Sequence, residues 1–223
     1  MTDSKPLPVA IDYYSDVLCV WAWIAQLRLE ELHQQWGSAV TIRPRYVDVF
    51  GDSHNKILDR WGETDGFDKF AVHVVKATEA FEEITVHADV WSKVRPRSSM
   101  QAHLLLKAVL LVAGEHAVES MAQRIRHAFF TQARDIGDLS LLLRLADDEN
   151  LDTTAIQDAL NSGAAIAALS GDAHSAGELG VKGSPTWVLN EGRQILYGNV
   201  GYRILSANIE ELLKHPGAEA SWC

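Results

Sequence analysis

The chain has 223 residues and 47% apolar content, enough for one large domain or for a small domain that carries an insertion. Its formal net charge of −10 excludes a broad basic surface for nucleic acid or an anionic membrane, and no such partner is expected. Two cysteines exclude a disulfide scaffold, and nine histidines lack H-x-x-x-H, H-E-x-x-H or Cys/His spacing, so no metal site is expected.

Met1 to Pro8 shows neither the apolar core nor the cleavage site of a signal peptide. No apolar run approaches the roughly 18 residues of a spanning helix. A cytoplasmic location is the expectation. Pro8 to Tyr14 then reads as a strand, and Val20 to Trp36 as a helix stopped by Gly37. Val40 to Val47 is rich in β-branched residues and reads as a second strand, where Pro44 marks an edge or an irregularity. These make a βαβ unit.

Cys19 sits at the turn from the first strand into the first helix. Unpaired N–H groups and the positive end of the dipole meet there, which favours a thiolate and can bring the pKa from about 8.5 into the range of about 3.5–7.5. Ala22 stands where a second cysteine would complete C-x-x-C.

From about Lys56 to Leu179 the apolar spacing is helical. Phe67, Phe70, Val74, Ala77 and Phe81 mark one helix. Leu104, Leu105, Ala108, Leu111 and Val112 mark another, capped by Ser98 or Ser99. Glu115 to Thr131, a helix capped by Asp138, one from Thr153 to Leu160, and Ala164 to Leu179 follow. Gly180 to Thr186 leads into the strands Thr186 to Asn190 and Gln194 to Tyr197, joined by Glu191-Gly192-Arg193 as a hairpin. Arg203 to Lys214 closes the chain as a helix before a tail that ends in Trp222-Cys223.

The order βαβ, helical block, ββα predicts an α/β chain of thioredoxin-like fold. Residues 1–55 and 180–223 make the discontinuous thioredoxin-like domain, and 56–179 an all-helical insertion. Ser15-Asp16-Val17-Leu18-Cys19-Val20-Trp21 resembles the active-site entry of FrnE-like disulfide oxidoreductases in the DsbA-type thioredoxin superfamily. It is equally similar to kappa-class glutathione transferases and 2-hydroxychromene-2-carboxylate isomerases, where a serine usually stands at the position of Cys19. Phe129 to Asp138 resembles a segment of their helical domains, and Gly180 to Thr186 matches their cis-proline loop.

The resemblance implies that Cys19 is the nucleophile and that Gly183, Ser184 and Pro185 present a peptide-like substrate, as in strand addition. X-Pro bonds are the ones that readily become cis, and a cis bond at Ser184-Pro185 exposes the backbone of Ser184. Trp21 is expected to shape access to the site. His103 and Arg95 are candidates for recognising a carboxylate, against the plainer readings of a satisfied helix residue and a surface charge. Trp23, Trp61 and Trp91 read as core or groove lining.

Without a cysteine at position 22, a mixed disulfide on Cys19 needs another thiol to release it. Glutathione can supply it as a co-substrate, with no tightly bound cofactor. Cys223 is the other candidate, since the nine residues after Lys214 span at most ~30 Å when extended. The expected activity is thiol–disulfide oxidoreduction on a thiol or disulfide substrate. The alternatives are a glutathione-dependent transferase or isomerase, and a binding module without turnover. A homodimer is compatible with the relatives that use glutathione.

Overall fold

The computed structural model describes residues 7–217. Strand β1 (Val9–Ser15) leads through a turn into the five-residue helix α1 (Val20–Ile24), then α2 (Gln26–Trp36) and strand β2 (Val40–Tyr46). A helical series follows: α3 (Ser53–Trp61), α4 (Gly66–Thr78), α5 (Met100–Phe130), α6 (Leu139–Asp148), α7 (Thr153–Asn161) and α8 (Ala164–Glu178). The hairpin β3 (Thr186–Leu189) and β4 (Gln194–Tyr197) and helix α9 (Tyr202–Lys214) complete the chain.

The four strands lie in the order β2-β1-β3-β4. β1 runs parallel to β2 and antiparallel to β3, and β3 pairs antiparallel with β4. The central strand β1 is buried on both faces. Val9, Ile11 and Tyr13 pack with Leu29 and Leu32 of α2 and Leu205, Ile209 and Leu212 of α9. Tyr14 turns the other way and meets Ala176 of α8, as the period of two requires. Pro44 is tolerated because β2 is an edge strand.

The larger core lies among the helices, around Trp91, Phe50, Phe67, Phe70, Phe129 and Phe130. Trp91 meets Phe129 edge-on with centroids 5.2 Å apart, a geometry worth ~0.5–1.5 kcal/mol beyond the area it buries. Val17 to Ile24 belong to this core although they follow β1 directly. The turn and α1 therefore stand at the seam between sheet and helices.

Several boundaries differ from the sequence reading for identifiable reasons. The single helix expected over 20–36 breaks at Ala25 into α1 and α2. The break expected between the helices on either side of Gly114 is present as a kink within α5: Gly114 is non-helical, at φ 83° and ψ −174°, a conformation that glycine adopts without a Cβ clash. Ser99 does not cap α5 with its side chain; its hydroxyl is spent on Asp16, and Ser98 Oγ accepts from the Met100 N–H at 3.1 Å. Asp152, the residue before α7, caps it by accepting from the Ala155 N–H at 2.9 Å. Asp138 caps α6 as expected.

A buried charge cluster fastens the helices to the sheet edge. Asp172 of α8 has no exposed surface and accepts from Lys107 Nζ of α5 at 2.8 Å, Arg45 Nη1 at 3.2 Å and the Tyr46 N–H at 2.9 Å. Arg45 Nε reaches on to Asp12 of β1 at 3.0 Å, where Arg43 Nη2 also binds at 2.7 Å. Each charge faces an opposite charge, which a buried carboxylate such as Asp172 needs to offset its desolvation.

Candidate active site

Cys19 is the residue just before α1, with φ −81° and ψ 118°. Its carbonyl accepts the first helical N–H bonds, from Ala22 at 3.0 Å and Trp23 at 3.1 Å. The loop before it is an Asx turn: Asp16 Oδ1 accepts from the Leu18 N–H at 2.8 Å. The other carboxylate oxygen accepts from the Phe50 N–H at 2.7 Å and from Ser99 Oγ at 2.8 Å. The Asp16 N–H donates to Ser184 Oγ at 2.8 Å. One fully buried aspartate thus ties the cysteine loop to the loop before α3, the start of α5 and the loop before β3.

The Ser184–Pro185 peptide is cis. Ser184 is half-buried and Pro185 buried, and Thr186 Oγ1 donates to the Gly183 carbonyl at 2.9 Å. Cys19 Sγ lies 3.2 Å from the Ser184 carbonyl, to which the thiol donates. Cys19 and Ser184, far apart in sequence, therefore meet atom to atom.

The electrostatics depart from expectation. The helix start was expected to favour a thiolate, yet burial pushes the Cys19 thiol up; hydrogen bonds from the Ser184 side chain and the Ala22 and Trp21 backbone pull it down, and nearby Asp16 opposes them. The thiol is only 6% exposed, and α1 has just five residues to build a dipole. A carbonyl acceptor also rewards the protonated form, because a thiolate has no proton to give it. At rest, then, Cys19 is a neutral thiol held on Ser184.

His103 joins this site from α5. Its Nε2 accepts from the Val17 N–H at 3.2 Å, so the neutral ring carries its proton on Nδ1, which has no hydrogen-bond partner. Burial holds its pKa below the usual value, against the pull of Asp16. The 3.7 Å approach of Nε2 to Asp16 Oδ1 is therefore a neighbourly contact with a neutral ring. Arg95 is not at the site: its guanidinium bonds the Trp91 carbonyl at 2.9 Å and lies 4.5 Å from the centre of the Phe67 ring. Trp21 is half-buried on α1 and packs against the larger core. Cys223 and Trp222 lie outside the described residues.

A cavity of about 660 Å³ lies between the helices and the sheet. Gly183, Lys182, Lys56, Asp48 and His103 are among its lining residues, and Leu104, Ile166 and Leu169 supply apolar surface. Lys56 Nζ sits 5.3 Å from the centre of the Phe50 ring, and burial lowers its pKa, with Arg60 acting in the same direction. Two lysines, one aspartate and an apolar set make this a mixed lining, compatible with an anion that carries an apolar group. Among the described residues no cluster of three or more His, Cys, Asp or Glu side chains is placed to hold a metal ion, and no helix is long and apolar enough to cross a membrane.

Sequence reasoning singled out Cys19, Gly183, Ser184 and Pro185, and the structure brings all four together. It missed Asp16 and Lys56. Asp16 had a legible signal, the aspartate two residues before a backbone turn; Lys56 had none, since only the tertiary fold carries α3 to the cavity.

Comparison with known proteins matches residues 10–210 to the family model of the DSBA-like thioredoxin domain. No curated protein matches the sequence. Among solved structures, a Nitrosomonas europaea protein named for protein disulfide isomerase superposes with a TM-score of 0.78 at 15% identity, covering 94% of this chain and 100% of that one. The cytosolic disulfide reductase DsbM of Pseudomonas aeruginosa gives 0.64 at 18% identity, covering 93% of each chain, and has also been solved with GSH. A 2-hydroxychromene-2-carboxylate isomerase gives 0.67 at 20% identity, covering 93% of this chain and 97% of that one. At these identities the likeness is one of fold, and fold alone does not choose between a reductase and an isomerase.

Proposed function

The chain belongs to the DSBA-like thioredoxin domain family, and we propose that it catalyses thiol–disulfide exchange through Cys19 as a single active thiol, with glutathione as the resolving partner. The observation that carries this reading is the 3.2 Å contact of Cys19 Sγ with the Ser184 carbonyl. It puts the thiol beside backbone that an extended substrate can pair with, while Ala22 leaves no second cysteine at the C-x-x-C position.

A peptide-like substrate pairing with Ser184 takes over its carbonyl and removes the acceptor that holds the thiol proton. Cys19 then loses that proton to solvent, and its sulfur attacks one sulfur of the substrate disulfide in line. A Cys19–substrate S–S bond forms as the substrate S–S bond breaks; the departing sulfur keeps the electron pair and takes up a proton. A glutathione thiolate next attacks the substrate sulfur of the mixed disulfide and releases Cys19 as a thiolate, which regains a proton. In this reading Lys56 and Lys182, which line the cavity, receive glutathione's carboxylates, and the Nδ1–H of His103 an acceptor on its backbone. The same reading treats 56–179 as a helical insertion in a thioredoxin-like unit and places the reaction in the reducing cytoplasm.

The test is glutathione-coupled reduction of a small peptide disulfide. Cys19→Ala is expected to fall to the uncatalysed rate; unchanged turnover would sink the proposal. A second reading, transfer or isomerisation of a glutathione adduct, is favoured by the neutral, buried state of the thiol and by the apolar wall of Leu104, Ile166 and Leu169. It predicts glutathione binding that survives Cys19→Ser and no dependence on a disulfide substrate.

A further inference from the structure

A second cavity, of about 250 Å³, lies between α2, the β1–β2 edge and the second half of α5. Arg126, Tyr13, Tyr46 and Ser15 line it. Arg126 is 2% exposed, Tyr13 3% and Tyr46 1%. Arg126 Nη2 donates to Ser15 Oγ at 2.9 Å. Its Nε has no hydrogen-bond partner, and among the described residues no carboxylate pairs with the guanidinium. Among the described residues the hydroxyls of Tyr13 and Tyr46 have no partner either. Burial pushes both phenols up, so they remain protonated donors.

A guanidinium cannot shed its proton to escape burial, and one serine oxygen does not replace its lost hydration. Water admitted to the cavity can take the spare hydrogen bonds but supplies no countercharge. The cavity therefore holds a fixed cation and two hydroxyl donors with the acceptor missing. The rim restricts what that acceptor can be. Glu30 accepts from Gln123 Nε2 at 3.0 Å, and Glu119 stands 3.3 Å from His33 Nε2, with His116 close by. Two rim carboxylates oppose a multiply charged anion. The volume is just below the ~300–1,000 Å³ typical of drug-sized ligands. The planar guanidinium edge matches a carboxylate.

We propose that this cavity is a binding site for a small organic monocarboxylate, its carboxylate on Arg126 Nε and the hydroxyls of Tyr13 and Tyr46, and its short apolar part against Leu29 and Ile42. The site is separate from the thiol chemistry above, and its occupant need contain no sulfur.

The test uses the full chain and sodium propionate as the probe, with propionamide as the neutral isostere and sodium chloride at matched ionic strength. Propionate is expected to titrate to one site by calorimetry and to raise the melting temperature in proportion to the logarithm of its concentration; the controls are expected to do neither. Arg126→Gln is expected to weaken propionate by at least ~10-fold, the loss of a charge-assisted bond. Should that variant fold poorly, Tyr13→Phe and Tyr46→Phe keep the rings, and at least one is expected to weaken binding by about fivefold, the scale of one hydrogen bond. Lys56→Gln, in the other cavity, is expected to leave propionate affinity unchanged. Equal stabilisation by chloride or propionamide, affinity that survives the Arg126 or both tyrosine changes, or affinity lost with Lys56 overturns the proposal.

Discussion

Asp172 and Arg126 are both buried charges on helices packed against the sheet, and only one of them is balanced. Asp172 receives Lys107, Arg45 and a backbone N–H; Arg126 receives one serine oxygen and faces a cavity. The difference separates polar groups that hold the fold together from those that await a ligand. Asp16 belongs with Asp172, since both its oxygens are engaged. Cys19 stands between the two kinds: it is bonded at rest, to an acceptor that a substrate can claim.

The sharpest way to break this contrast is to remove the balanced charge. Asp172→Ala leaves Lys107 buried without its partner and is expected to cost about 3–5 kcal/mol in denaturant unfolding. Asp16→Ala strands two buried N–H groups and the Ser99 hydroxyl; about 2–4 kcal/mol is expected, together with loss of exchange activity as the cysteine loop loses its anchor. Arg126→Gln, by contrast, removes a buried charge that no carboxylate among the described residues pairs, so stability in ligand-free buffer should change by less than about 1 kcal/mol or rise. A loss as large as that of Asp172→Ala would erase the distinction.

Two smaller effects depend on pH. His103 has its pKa lowered in the fold, so the unfolded chain binds its proton more readily. Its contribution to stability is present above the ordinary histidine value and drains away as pH falls through and below that value. Acid unfolding monitored by circular dichroism should therefore be less steep in His103→Gln between pH 6.5 and 5, a window set by the ordinary histidine pKa of about 6.5. The Cys19 thiol has its pKa raised, so the sign is opposite: stability is intact below the unfolded thiol's pKa and declines as pH rises through the folded value. Iodoacetamide labelling of Cys19 without substrate should likewise keep accelerating into alkaline pH, with no plateau near neutrality.

Much of the fold was legible because its signals are local. Gly37, Asp138 and the Glu191-Gly192-Arg193 turn punctuate elements within a few residues of where they end. The cysteine and the Ser184-Pro185 pair could be read as types, and the family resemblance put them in one site. What could not be read is how charges settle across the fold. Nothing near Lys107 or Arg126 in sequence says that one meets Asp172 and the other only Ser15. The thiol's acidity departs from the helix-start expectation for the same reason: the helix start is local, but the burial that outweighs it comes from packing between sheet and helices.

The account rests on one thiol working without an internal partner. Intact-mass spectrometry of the reduced chain after incubation with glutathione disulfide, across pH 6 to 9 to span an ordinary thiol pKa of about 8.5, tests it directly. The prediction is a gain of a single glutathionyl group, mapped to Cys19, absent in Cys19→Ser and growing with pH. A loss of two hydrogens without an adduct would contradict it, because Cys19 would then pair with Cys223 and the chemistry would be that of a dithiol.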